Sequence, residues 1–168
     1  MRQSKHLICF FSALLLASSC VAQTNPLGSV ELKTLRGKTV SFSSITQTDS
    51  LVLVCFWSTS SQESISELTA LNSSFENWKM RVKFHLIAVA TDVGVEAGKI
   101  HPMINANEWK FDVYLDQDGA LQGALNATQL PESIIIKGGK ALYQQSGYVP
   151  GSEKYLFQKL AAIGAGRG

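Results

Sequence analysis

Thiols are scarce in this chain. Three cysteines occur in 168 residues, and two of them, Cys9 and Cys20, fall in a first segment that reads as a leader. Cys55 is then the single thiol of the mature chain, which excludes an intramolecular disulfide even though export normally permits one. Histidine is as sparse: His85, His101 and Cys55 show no ligand spacing, so neither a metal site nor another cofactor is expected. Charge of one sign is missing too. Fifteen basic residues stand against thirteen acidic ones, and loss of Arg2 and Lys5 with the leader makes the mature chain formally neutral. No basic stripe remains to suit a nucleic-acid backbone. The apolar run Leu7 to Ala17 is too short to span a bilayer. Repeats, low-complexity tracts and a second domain are absent.

Residues 1–22 have the layout of a signal peptide: basic Arg2, Lys5 and His6, the apolar run, then the small residues of "SSCVAQ". Cleavage after Ala22 fits best, with Cys20 and Ala22 as the two small recognition positions. Lipid attachment at Cys20 is the alternative, although a lipobox usually carries Leu where Ala17 stands. A membrane is expected as a partner only in that second case. Either route delivers the chain to the periplasm or cell envelope. Residues 23–168 form the expected domain, with a core of about 28–163, long enough to bury a substantial interior.

The pattern along that domain alternates strand and helix. "SVELKTLRGKTVSF" (29–42) predicts a two-stranded hairpin around Arg36-Gly37-Lys38. The unbroken apolar run Leu51 to Trp57 predicts a central strand covered on both faces. Ile65, Leu68, Leu71, Phe75 and Trp78 recur at helical spacing as one apolar stripe. "VKFHLIAVA" (82–90) predicts a second buried strand, 93–99 a loop, and Ile100 to Trp109 a short helix with Pro102 in its first turn. "KFDVYLD" (110–116) predicts a third strand and Ala120 to Leu125 a small helix. "SIIIK" and "ALYQQSGY" are strands joined at Gly138-Gly139, and a last helix carries Tyr155, Leu156, Leu160 and Ile163 behind a cap at Ser152. Strands separated by helices call for parallel pairing. The expected fold class is α/β: a mixed central sheet flanked by helices, with an N-terminal β-hairpin.

The stretch "FWSTSSQES" ahead of an amphipathic helix resembles the FWATWCxxC entrance of TlpA/ResA-like thioredoxins, exported thiol–disulfide oxidoreductases. "LRGKTVSFSSI", "HLIAVATD", "VYLDQDGAL" and "LPESIIIKGGKALYQQSGY" resemble that family's hairpin, second core strand, D-x-x-G step and cis-proline strand, in the same order. The resemblance covers 28–163 and implies the thioredoxin-like sheet. It places Ser61 and Ser64 where active members carry their two cysteines, and Cys55 where thioredoxins proper carry a buried relay carboxylate. Asp92 or Glu96 matches the acid that TlpA/ResA-like proteins take from a loop. Pro131 matches the cis-proline, whose loop in active members pairs its backbone with an extended substrate segment.

A serine hydroxyl cannot form the mixed disulfide through which thiol exchange proceeds, so no catalytic residue is expected. The resemblance implies instead a groove formed by Trp57, Ser60, Ser61, Leu130, Pro131 and Glu132. Its partner would be an extended polypeptide segment or a partner protein in the envelope. The competing expectation is an oxidoreductase or antioxidant acting through Cys55 or an external thiol. A serine nucleophile would need a neighbouring base, and neither histidine has sequence reason to approach Ser61. Overlapping capping boxes, Thr59 with Gln62 and Ser60 with Glu63, account better for these hydroxyls. Two glycosylation sequons, at Asn72 and Asn126, read as coincidence in a protein of bacterial likeness.

Overall fold

A computed structural model describes residues 26–46 and 51–166. The leader, with Cys20 and its two alternative fates, lies outside the described residues. Seven strands form one sheet in the order β2-β1-β5-β4-β3-β6-β7: β1 Glu31–Thr34, β2 Thr39–Ser41, β3 Leu51–Trp57, β4 Phe84–Ala90, β5 Asp112–Leu115, β6 Glu132–Lys137 and β7 Lys140–Ser146. β3, β4 and β5 run parallel, whereas β1–β2, β1–β5, β3–β6 and β6–β7 pair antiparallel. The expected mixed sheet and N-terminal hairpin are both present.

β3 is buried along its whole length because it sits between two layers. Leu51, Leu53, Cys55 and Trp57 point to one face and Val52, Val54 and Phe56 to the other, as the two-residue period of a strand requires. The 20-residue helix α2, Gln62–Arg81, and α5, Glu153–Gly164, cover the first face. They do so with Leu68, Leu71, Phe75 and Trp78 and with Leu156, Leu160 and Ile163. Phe42 of α1 (Phe42–Thr46) and Leu121 of α4 (Ala120–Ala124) close the second face. α3, Ile100–Ala106, buries Ile100 beside α2's layer.

Four local expectations change. The hairpin ends at Ser41 rather than Phe42, because α1 begins there. That helix has no apolar stripe to announce it, and it is held by Ser44 Oγ donating to Ser41 O at 2.6 Å and Thr46 Oγ1 to Phe42 O at 3.1 Å. The loop 93–99 contains a 3-10 turn at Glu96–Lys99, and the following helix stops at Ala106 rather than Trp109. Trp109 turns inward instead, with its ring centroid 5.0 Å from that of Trp57, edge to face. Ser152 precedes α5 but its side chain makes no cap bond. The Glu153 carboxylate serves that turn, accepting from Gly151 N at 2.9 Å and Tyr148 Oη at 3.2 Å.

Candidate functional site

The site expected from sequence lies where β3 ends and α2 begins. Ser61, with φ −97° and ψ 106°, is the N-cap of α2. Its Oγ accepts from Ser64 N at 3.2 Å and from Ser64 Oγ at 2.9 Å. The helix therefore starts two residues later than a Thr59 cap would place it, and the anticipated boxes at Thr59 and Ser60 are replaced by a cap at Ser61. Thr59 is otherwise engaged. The Asp92 carboxylate, buried beyond the end of β4, accepts from Thr59 N at 3.0 Å, Thr59 Oγ1 at 2.6 Å and Ser58 Oγ at 3.1 Å. Of the two acids left open by the sequence, Asp92 is the one that meets the turn before α2. Glu96 pairs with Lys99 at 2.7 Å on the surface. Asp92→Ala strands three buried donors, so a loss of about 3 kcal/mol in urea unfolding is expected.

The Leu130–Pro131 peptide is cis. Register places Glu132 opposite Phe56, so the loop before β6 stands beside the end of β3. Pro131 O accepts from Gly147 N at 2.8 Å. Among the described residues, neither the N–H nor the carbonyl of Leu130 has a hydrogen-bond partner. Val93 and Val149, 57% and 67% exposed, lie on the loops that leave β4 and β7 at this same end of the sheet. An unpaired main-chain segment with apolar neighbours is a surface that an extended peptide can extend by backbone pairing.

Two residues expected in the groove are not there. Trp57 is fully buried in the layer under α2, because its side chain follows the phase of Leu53 and Cys55 and Trp109 closes over it. Glu132 is also fully buried. Its Oε1 faces β7, accepting from Ser146 Oγ at 2.6 Å and Gln144 Nε2 at 2.9 Å. Ser60 and Ser61 remain at the surface, Leu130 is half-buried and Pro131 is buried. His85 and His101 are exposed, and His101 touches Asn105 rather than a serine. Among the described residues, the Ser61 hydroxyl is bonded to Ser64 and to no base.

Cys55 proves inaccessible. Its side chain is fully buried, and burial, with the Glu67 charge beside it, pushes the thiol well above its ordinary range. Such a thiol cannot meet a partner protein's sulfur without unfolding. A maleimide reagent is expected to leave the native protein unlabelled and to modify Cys55 fully in concentrated urea. Labelling of the native fold at the rate of an exposed thiol would refute this.

What the sequence reading missed is Glu67. Ser133 Oγ lies 3.1 Å from both Cys55 Sγ and Glu67 Oε1, and Glu67 Oε2 is buried without a partner. Burial raises the Glu67 carboxyl to about 7; the Ser133 bond opposes the shift, and the Glu132 and Glu153 charges add to it. A buried acid thus reaches the Cys55 position from the helix side instead of the strand. The signal was available: Glu67 falls in phase with Ser64, Leu68 and Leu71, on the face α2 turns inward.

A mixed sheet in which a long helix opens beyond a central strand, opposite a cis-proline loop, defines a thioredoxin-like fold. Solved structures agree. A thioredoxin-like protein from Porphyromonas gingivalis superposes with a TM-score of 0.70 at 30% identity, over 81% of this chain and 90% of that one. A candidate thiol:disulfide interchange protein DsbE from Chlorobium tepidum gives 0.68 at 24% identity, over 79% and 91%. A secreted disulfide oxidoreductase of Mycobacterium tuberculosis gives 0.63 at 16%, over 82% and 97%. The latter two support the fold alone. No curated protein sequence matches the chain. The chain belongs to the AhpC/TSA family, whose sequence model matches residues 24–144.

Proposed function

We propose that this is an exported thioredoxin-like protein of the TlpA/ResA type that has lost thiol chemistry and binds extended polypeptide, as a chaperone-like or accessory module of the envelope. The observation that carries the reading is the unpaired main chain of Leu130 beside a cis-proline, at a helix start that offers hydroxyls instead of thiols. Ser61 and Ser64 stand for the two cysteines of active relatives. Their hydroxyls satisfy each other and the helix, and neither can carry a mixed disulfide. The groove differs in composition from the one the sequence implied: Ser60, Ser61, Leu130 and Pro131 stay, and Val93 and Val149 take the place of Trp57 and Glu132. An export route is consistent with the secreted mycobacterial neighbour. The competing oxidoreductase reading acts through Cys55 or an external thiol; burial of Cys55 disfavours its first form, and the insulin assay below tests both.

The test is binding of a carboxymethylated, permanently unfolded polypeptide, followed by fluorescence anisotropy. Leu130→Pro removes the free N–H and is expected to abolish binding. Ser60→Trp, which fills the exposed approach and leaves the core untouched, should do the same. Undiminished binding by both variants overturns the groove assignment. Insulin reduction by the wild-type protein, lost in Cys55→Ser, overturns the redox-inactive assignment.

A further inference from the structure

The end of the molecule remote from Ser61 gathers positive charge, and we propose that it docks on a membrane surface rich in anionic phospholipid headgroups. The topology builds this pole. β3 and β4 run parallel, so their first residues, Leu51 and Phe84, lie at the end opposite the Ser61 turn. α2 delivers Lys79 and Arg81 there, and Lys83 follows just before β4. β6 runs antiparallel to β3 and arrives with Lys137, and β7 departs with Lys140. α5 ends at the same place: a Cβ on Gly164 would lie 3.1 Å from Val82 Cγ1 and 3.4 Å from Leu51 Cδ1. Lys159 lines one recess with Lys137 and Leu142.

All six cations are exposed. Glu76 is the one acid paired with any of them, 3.8 Å from Lys79; among the described residues the other five make no ion pair. Arg81 rests 4.7 Å above the Phe157 ring and Lys159 5.5 Å from the Tyr143 ring, which supports each stem and leaves the charged head toward solvent. Farther along this end, Lys110 leads into β5 and adds charge that Glu108 and Asp112 partly offset. Among the described residues, exposed Glu63 and Asp118 and half-buried Glu96 and Glu153 lie at the other pole, around the site.

The choice of a lipid surface rests on the apolar residues set among these cations. Met80 is 82% exposed between Lys79 and Arg81, and Leu142 is 49% exposed beside Lys137 and Lys159. Basic side chains for phosphate, with long apolar side chains between them, match the headgroup–acyl boundary. A polyanion without an apolar phase gives Met80 no seat. Docked this way, the molecule points its Ser60–Leu130 face away from the bilayer, and the inference stands whether or not that face binds polypeptide.

The experiment is vesicle co-sedimentation with the chain of residues 23–168, which lacks Cys20, so that no acyl chain contributes. Vesicles of phosphatidylcholine containing phosphatidylglycerol are compared with phosphatidylcholine alone, at low and high salt. Binding is expected only to the anionic vesicles and to weaken with salt. Lys83→Gln, Lys137→Gln and Lys140→Gln should each lower affinity about fivefold, and Met80→Ser should lower it without changing the salt dependence. Lys33→Gln, on the sheet's far end, is the control and should change nothing. Equal binding to both vesicle types, binding to neither, or an unaffected triple lysine variant overturns the proposal.

Discussion

Glu67→Gln is expected to raise the unfolding free energy by about 3 kcal/mol above neutral pH and to leave it nearly unchanged in acid. The folded carboxyl titrates near 7 against an ordinary value of 4.5. Below the lower value both folded and unfolded chains hold the proton, and the group has no effect. Between the two values the unfolded chain ionises while the folded chain stays neutral, so stability falls as pH rises. Above 7 the loss is complete, because the carboxylate lies buried with Oε2 unpartnered. The glutamine keeps an oxygen for the Ser133 hydroxyl and cannot ionise. Urea unfolding across pH measures the difference, and the wild type should melt on the order of 10 °C below the variant in mild alkali. A stability difference independent of pH would show that water reaches Oε2 and that the carboxyl is not buried in solution.

The second large effect is a gain. Ser61→Cys/Ser64→Cys is expected to convert a protein that reduces insulin no faster than the dithiothreitol blank into one that turns over. The two hydroxyl oxygens already lie 2.9 Å apart, so their side chains converge, and closure to an S–S bond near 2.05 Å requires only a small rotation of each. A thiol at position 61 would stand at the N-terminus of a 20-residue helix, where unbonded N–H groups and the dipole favour thiolate. Glutathione titration should place the new dithiol between about −270 and −120 mV, the range of Cys-x-x-Cys oxidoreductases. Closure of the disulfide without any turnover would mean that the approach to Ser61, and not only the sulfur, has changed.

Much of this arrangement was legible in advance. β3 and β4 announce themselves as apolar runs because both faces of the sheet are covered, and α2 does so through its stripe. The cis-proline followed from the resemblance, and the sequence placed a helix start in this stretch, although its cap is Ser61 and not Thr59 or Ser60. What stayed hidden depends on partners distant in the chain. Trp57 reads as a groove wall until Trp109, from the far side of β4, closes over it. Whether Asp92 or Glu96 serves the turn depends on the path of a loop, which has no period to read. Glu67 hides in the sequence because a charged residue on a helix is expected in water, although its phase places it on the inner face of α2. α1 has neither stripe nor strong cap, and serine hydroxyls hold it only once the hairpin is in place.

The side chain of Asn72 joins two distant parts of the chain. From the outer flank of α2 its Nδ2 donates to Glu108 O at 3.2 Å, and its Oδ1 accepts from Lys110 N at 2.9 Å. That fastens the helix to the segment leading into β5. The same nitrogen is the atom that an oligosaccharyltransferase would modify at Asn72-Ser73-Ser74. A glycan attached there before folding would place a bulky sugar where Glu108 and Lys110 must dock. Production in a eukaryotic secretory pathway would therefore need Ser74→Ala, which abolishes the sequon and leaves the amide free to make both bonds.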